Sequence, residues 1–170
     1  MNYLENLVSD LCKMVSYRED GNLVWIHAGS RCDLNGKVVG TVSKTDGYRY
    51  VKFRQKRILV HRVVFYIHHQ FIPDEIDHIN RKRDDNRIEN LRVADTHSNN
   101  LGNQSIQARN KSSKYKGVCW DKSRKKWMAG IKHNGKRIYI GRFESEQLAA
   151  KAYNEYAIKI FGDFANINKI

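Results

Sequence analysis

Proline is nearly absent from this 170-residue chain, with Pro73 the single instance. Cysteine is scarce as well. Cys12, Cys32 and Cys119 are scattered and odd in number, so they make neither a CxxC metal signature nor a disulfide framework. No stretch approaches the roughly 20 uninterrupted apolar residues of a membrane span. Long repeats and low-complexity tracts are missing. The opening residues Met1–Asn6 lack the basic and apolar regions of a secretion signal, so a cytoplasmic, intracellular protein is expected. Acidic residues are in short supply: 18 Asp+Glu face 31 Lys+Arg, giving a net charge of +13. That balance points to a polyanionic partner. Hydrophobic residues make up 41%, enough to bury a core, which excludes wholesale disorder.

The charge is unevenly spread. Residues 1–103 hold 16 Lys+Arg and 13 Asp+Glu, a net of +3, while residues 104–170 hold 15 and 5, a net of +10. Between these parts lies QSIQARNKSS, residues 104–113, which is polar and without period, as linkers are. The expected organisation is a domain over 1–103, a linker over 104–113 and a second domain over 114–170. The alternative is one domain with a polar loop.

Leu4, Leu7, Val8, Leu11 and Val15 recur at helical spacing and predict a helix over Tyr3–Val15. Strand-like runs follow at Leu23–His27, Lys37–Val42, Tyr48–Phe53 and Arg57–Val60, separated by Asp-Gly and Asn-Gly turns. His61–Phe71 reads as a second helix, with Pro73 marking its end. Glu75–Asp77 and Leu91–Val93 read as extended pieces around a charged loop, and Thr96–Asn103 as a helix start. The second part reads as three strands, Tyr115–Trp120, Trp127–His133 and Lys136–Gly141, the last two joined at Asn134-Gly135. Alternation puts Trp127, Ala129 and Ile131 on one side of the middle strand, and Arg137 and Tyr139 together on the third. Ser145 caps a final helix to about Phe161, with Gly162 as its stop and Ala149, Ala152, Tyr153, Tyr156 and Ile160 as its apolar stripe.

The densest chemistry lies in Asp77–Asn99, DHINRKRDDNRIENLRVADTHSN. Cutting a phosphodiester requires a water to lose a proton, the phosphate charge to be neutralised and the leaving oxygen to be stabilised. A histidine can take the proton. A divalent ion can meet both charge requirements. A hard ion such as Mg²⁺ keeps several waters, so one carboxylate and one amide can hold it. Asp77 and His78 are adjacent on the expected strand, so they point to opposite sides of it.

Val60-His61-Arg62-Val63, Asp77-His78-Ile79-Asn80, Asn90-Leu91-Arg92 and Ser98-Asn99-Asn100 follow in order over roughly 45 residues. Together they resemble the HNH endonucleases, and more narrowly the phage and intron-associated homing type. The resemblance implies a ββα-metal fold. It implies His78 as general base, Asp77 and Asn99 as ligands of one Mg²⁺ or Mn²⁺ ion, and Asn90 as the residue that holds the loop. His97 is the alternative ligand. His61 is expected to pack rather than to react. Arg81, Lys82 and Arg83 are either solvated charges or phosphate contacts.

Tyr115-Lys116-Gly117-Val118, Lys126-Trp127-Met128-Ala129, Tyr139-Ile140-Gly141-Arg142-Phe143, Ala149-Ala150-Lys151-Ala152-Tyr153 and Ala165-Asn166-Ile167-Asn168 resemble the AP2 domain of plant ERF type. This implies a three-stranded antiparallel sheet in the DNA major groove with a helix behind it. Lys116, Lys132, Arg137 and Tyr139 would lie on the DNA face. Lys122, Arg124 and Lys126 would lie in the first hairpin near phosphate. Cys119 stands where the plant family often has arginine, and Gly130 where it has glutamate, so the plant target sequence does not carry over.

The expected class is therefore α+β: a ββα-metal nuclease domain followed by an AP2-like three-stranded antiparallel sheet packed on one helix. The expected function is a DNA endonuclease leaving 5′-phosphate and 3′-hydroxyl ends, acting as a monomer on double-stranded DNA. The alternatives are a non-catalytic, sequence-specific DNA-binding regulator with a degenerate nuclease fold, and an RNA-binding protein.

Overall fold

The computed structural model describes residues 3–94 and 112–170. The chain divides into two compact units, Met1–Ala94 and Asp95–Ile170. Residues 104–111 of the expected linker and the expected helix Thr96–Asn103 lie outside the described residues.

Unit 1 starts with α1 (Tyr3–Cys12), whose Leu7, Val8 and Leu11 are buried. The expected helix stops short because Val15 leaves the helical path to pair with Trp25, making a ribbon of β1 (Val15–Tyr17) and β2 (Leu23–Trp25). Three further strands, β3 (Thr41–Val42), β4 (Arg49–Phe53) and β5 (Lys56–Leu59), form an antiparallel sheet in that order. The expected strand at Lys37–Val42 is mostly lost. Gly40 has φ +77°, and a Cβ there would run into the Tyr50 backbone, so the chain bends where an extended run was expected.

Helix α2 (Val60–His69) follows β5 directly and packs on β4 and β5. Its Val60, His61, Val63, Val64, Phe65 and Tyr66 are buried. It ends two residues before Phe71, because Gln70 takes the left-handed conformation (φ +61°) and its amide closes on the Tyr66 carbonyl. Pro73 comes later and is not the stop. The chain then forms β6 (Ile76–His78) and, after a twelve-residue loop, β7 (Leu91–Val93), an antiparallel pair. One aliphatic core joins α1, α2 and the strands through Val8, Leu11, Leu23, Val39, Val51, Ile58, Val63 and Val64.

Unit 2 is a three-stranded antiparallel sheet, β8 (Val118–Asp121), β9 (Lys126–His133) and β10 (Lys136–Phe143), with β9 in the middle. The turn at Asn134-Gly135 has positive φ at both residues, as a two-residue hairpin turn requires. A register shift between Tyr139 and Gly141 marks a bulge in β10. Helix α3 (Glu146–Phe161) covers one face. Ser145 caps it, its hydroxyl accepting from the Leu148 amide at 3.1 Å, and Gly162 ends it.

The buried stripe of α3 is Ala149, Ala150, Tyr153, Ala157 and Phe161. It is turned away from the expected one: Tyr156 is exposed and Ile160 half-buried. The alanines bring the helix backbone close to the sheet, and Tyr153 lies over Gly117, where a Cβ would collide with its ring. Past the helix, the Asn168 side chain accepts from the Lys116 amide (2.6 Å) and donates to the Lys116 carbonyl (3.1 Å). The Asn154 side chain in turn brackets the Asn168 backbone, at 2.7 and 2.9 Å. These bonds tie tail, helix and sheet together.

Candidate functional sites

The β6–β7 hairpin concentrates the buried polar groups of unit 1. Among the described residues, His61, Asp77, His78, Asn86 and Asn90 are the buried polar side chains of this unit. Each needs a partner, because a buried polar group without one costs about 1–3 kcal/mol. Asp77 stands directly opposite Arg92 in the register, and its Oδ2 accepts from Arg92 Nε at 2.9 Å and Nη2 at 2.7 Å. His78 is next on the strand, 3% exposed, with Nε2 3.1 Å from Asn86 Oδ1. With the amide oriented this way the oxygen only accepts, so the proton is on Nε2 and the lone pair on Nδ1. Burial pushes the His78 imidazole below its ordinary value, against the opposing pull of Asn86 and Asp77. It is therefore in its neutral, proton-accepting form at neutral pH.

The loop between the strands is fixed by Asn90. Its Oδ1 accepts from the Asn80 amide at 2.9 Å and its Nδ2 donates to the Asp85 carbonyl at 2.7 Å. Asp85 holds Asn80 Nδ2 at 2.6 Å and Arg87 through two bonds of 2.9 Å. The Arg87 guanidinium first, then Asn80, hold the Asp85 carboxyl well below the usual carboxylate range. These bonds fix the segment that carries Asn86, and so the imidazole it meets.

The ring of His61 lies 5.1 Å from that of His78, and Tyr48 stands 5.4 and 5.7 Å from the two. Burial, then the neighbouring His78, pushes the His61 pKa down to about 3. The wall around His78 is thus aromatic and polar rather than aliphatic. Asn99 and its alternative His97 lie outside the described residues. Among the described residues no cluster of three or more His, Cys, Asp or Glu side chains offers a metal cage.

Asn86 is the residue that sequence reasoning passed over. It is 1% exposed, and its Nδ2 has no hydrogen-bond partner among the described residues. An asparagine in a charged loop reads as a turn former. Only the fold shows that it sits inside, against His78.

The second site is the face of the unit 2 sheet away from α3. Lys132, Arg137 and Tyr139 are exposed. Arg137 stands opposite Lys132 and Tyr139 opposite Gly130 across the β9–β10 register. Gly130 has no side chain to stand in the way, and the Arg137 guanidinium passes over it to reach Cys119 Sγ at 3.9 Å. Tyr139 is met by Arg142, which also pairs with Asp121 at 2.8 Å. Lys122 and Arg124 are exposed in the β8–β9 turn. Lys116 is half-buried, its backbone held by Asn168. Lys126 begins β9 and pairs with Glu144 at 2.8 Å, so its charge is partly committed. Trp127 packs against the helix-side core and meets the exposed Trp120 edge-on at 5.1 Å.

Comparison with known proteins finds two segments of the chain that match family models. Residues 59–101 match the HNH endonuclease family and residues 113–163 match the AP2 domain. An uncharacterized HNH endonuclease of Acanthamoeba polyphaga mimivirus is 35% identical over 101 residues, 58% of this chain and 50% of that protein. An AP2-like ethylene-responsive transcription factor of Arabidopsis thaliana is 40% identical over 60 residues, 35% of this chain and 12% of that protein. An APETALA2-like protein 2 of Oryza sativa subsp. japonica is 40% identical over 60 residues, 35% of this chain and 14% of that protein. The chain thus spans half the length of the viral relative and a small part of the plant ones. No solved structure matches. The HNH match includes α2 and the β6–β7 hairpin, and the AP2 match includes the unit 2 sheet and α3.

Proposed function

We propose that this protein is a metal-dependent DNA endonuclease of the HNH homing type, an intracellular monomer that holds duplex DNA with its AP2 sheet. The observation that carries the reading is the His78 imidazole, kept neutral by burial and fixed by Asn86, one residue from the Asp77 carboxylate on the HNH hairpin. His78 takes the proton of the attacking water at Nδ1, the nitrogen turned away from Asn86. Asn90 keeps the loop closed, so that Asn86 and His78 hold their geometry. Positioning of this kind is worth about 10²–10⁴-fold in rate for a general base.

The donor set fits a hard cation. Asp77 offers a carboxylate oriented by Arg92, and one carboxylate with one amide suits an ion that keeps its waters, whereas zinc takes a fuller cage. Asp77 and Asn99 would hold Mg²⁺ or Mn²⁺, as the two sides of a ββα arrangement completed beyond β7. When bound, the ion neutralises the phosphate and stabilises the leaving oxygen. Lys116, Lys122, Arg124, Lys126, Lys132, Arg137 and Tyr139 would contact DNA, Arg137 foremost because it lies over the middle strand.

Supercoiled plasmid incubated with the protein and Mg²⁺ is expected to be nicked or linearised, and EDTA to stop the reaction. His78→Ala is expected to abolish cleavage while DNA binding persists. Binding without cleavage by the wild type would leave the second reading, a DNA-binding regulator that carries an inactive nuclease fold.

A further inference from the structure

The β3–β4–β5 sheet lies outside the HNH match except for Leu59, and nothing in the preceding function uses it. It has the plan of the AP2 sheet: three antiparallel strands, a helix (α2) on one face, and an opposite face that is basic and aromatic. The register puts Val51 and Ile58 on the buried face, and Tyr50 and Lys52 opposite Leu59 and Arg57 on the outer one. Lys52 and Arg57 are thus like charges directly across an antiparallel pair, an arrangement that weakens a sheet. The turn adds Arg54, whereas Lys56 pairs with Phe53 on the other face.

Several exposed cations of unit 1 are paired: Lys13 with Asp10, Arg18 with Asp20, Arg31 with Asp33, Arg87 with Asp85. Arg54 also pairs with Asp10. Among the described residues Lys52, Lys56 and Arg57 form no ion pair. Folding gains nothing from the opposition of Lys52 and Arg57 to each other.

The cluster is joined to the hairpin of His78 by a continuous run of contacts. Arg57 lies over the Tyr50 ring at 3.6 Å. The Tyr50 hydroxyl donates to Asp46 Oδ2 at 2.7 Å. Arg83, from the loop after His78, donates to the Asp46 carbonyl at 2.8 Å and lies 5.0 Å over Tyr48, which touches the His78 ring. A phosphate backbone held along Lys52, Arg57 and Arg83 would therefore lead toward His78.

We propose that the outer face of the β4–β5 hairpin, centred on Lys52 and Arg57, is a further duplex-DNA surface that grips phosphates next to the cleavage site. This rests on the reading of the chain as a DNA-binding enzyme, but not on its cleaving. The test is the salt dependence of duplex binding by the full chain in EDTA, for wild type, Lys52→Gln/Arg57→Gln and the control Lys13→Gln/Arg18→Gln.

Each phosphate contact in B-DNA contributes about 0.9 to the slope of log Kd against log salt, so the hairpin variant is expected to lower that slope by about 2. Its Kd should rise roughly tenfold at physiological salt. The control, with the same net charge, should bind like the wild type, and the hairpin variant should keep a cooperative thermal transition. An unchanged slope overturns the proposal. So does an equal loss in the control, which would show net charge alone at work, or a loss seen with single-stranded RNA but not with duplex DNA. Plasmid cleavage by the wild type is scored separately, so a failed nuclease assay beside a lowered slope removes the enzyme reading and keeps the surface.

Discussion

Unit 1 places its candidate site groups inside, and unit 2 places them outside. His61, Asp77, His78, Asn86 and Asn90 are buried around one hairpin, whereas Lys132, Arg137 and Tyr139 stand on an open sheet face and Ser113 is the buried polar side chain of the second unit's described part. The core sizes follow. Unit 1 has a single aliphatic core, and unit 2 has two small clusters built around alanines, Tyr153 and Phe161. Chemistry needs fixed tautomers and exclusion of bulk water. Binding a polyanion needs accessible charge.

The largest expected break of that contrast is His78→Ala. It should lower the cleavage rate by about 10²–10⁴-fold while Kd for duplex DNA stays within twofold, measured by single-turnover cleavage beside a binding titration. A comparable loss of both would make His78 a structural residue of unit 1. Gly117→Ala attacks the other side. With φ +74° and the Tyr153 ring against it, an added Cβ should cost unit 2 about 2–4 kcal/mol. Calorimetry should show one transition lowered and the transition of unit 1 unmoved.

Smaller effects sharpen the comparison. Arg137→Ala should weaken duplex binding by about 1–3 kcal/mol and leave the rate at saturation unchanged, because Arg137 lies on the open face of the sheet, over Gly130 and against Cys119. Asn86→Leu should lower kcat about tenfold to a hundredfold with little change in KM, since it strips the His78 Nε2 proton of its acceptor. Asn86→Asp restores an acceptor and should recover most of the rate. Histidine ¹⁵N shifts read the tautomer directly.

The smallest effect is a pH slope. His61 is held near a pKa of about 3 in the fold and near 6.5 when unfolded, so between those values the unfolded chain binds the extra proton. The stability of unit 1 should then fall as pH drops through this window, by up to about 1.4 kcal/mol per unit. His61→Phe should flatten that part of the profile, and a wild-type slope retained in the variant would assign it to the carboxylates instead.

Legibility in the sequence divides along the same line. The open face of unit 2 could be read because strand alternation alone puts Arg137 and Tyr139 together, and Asn134-Gly135 and Ser145 punctuate the chain locally. The α3 stripe was misread because tyrosines, alanines and isoleucines surround that helix, so several stripes fit the spacing. Which one is buried depends on how closely Ala149, Ala150 and Ala157 let the helix approach the sheet. In unit 1, Asp77, His78 and Asn90 were marked by their order along the chain. Asn86 was not, because its role exists only once the loop has folded back on His78. The strand at Val15–Tyr17 was hidden for a similar reason: its partner lies across a turn, and periodicity extends the helix over it.

The Asn154–Asn168 clasp bears on anyone wishing to graft the second module onto another protein. A cut made where the AP2 match stops, at residue 163, would keep every strand and the whole of α3, yet discard the amide that brackets the Lys116 peptide. The transplantable unit extends at least through Asn168, and a donor cassette trimmed earlier would arrive with its first strand unlatched.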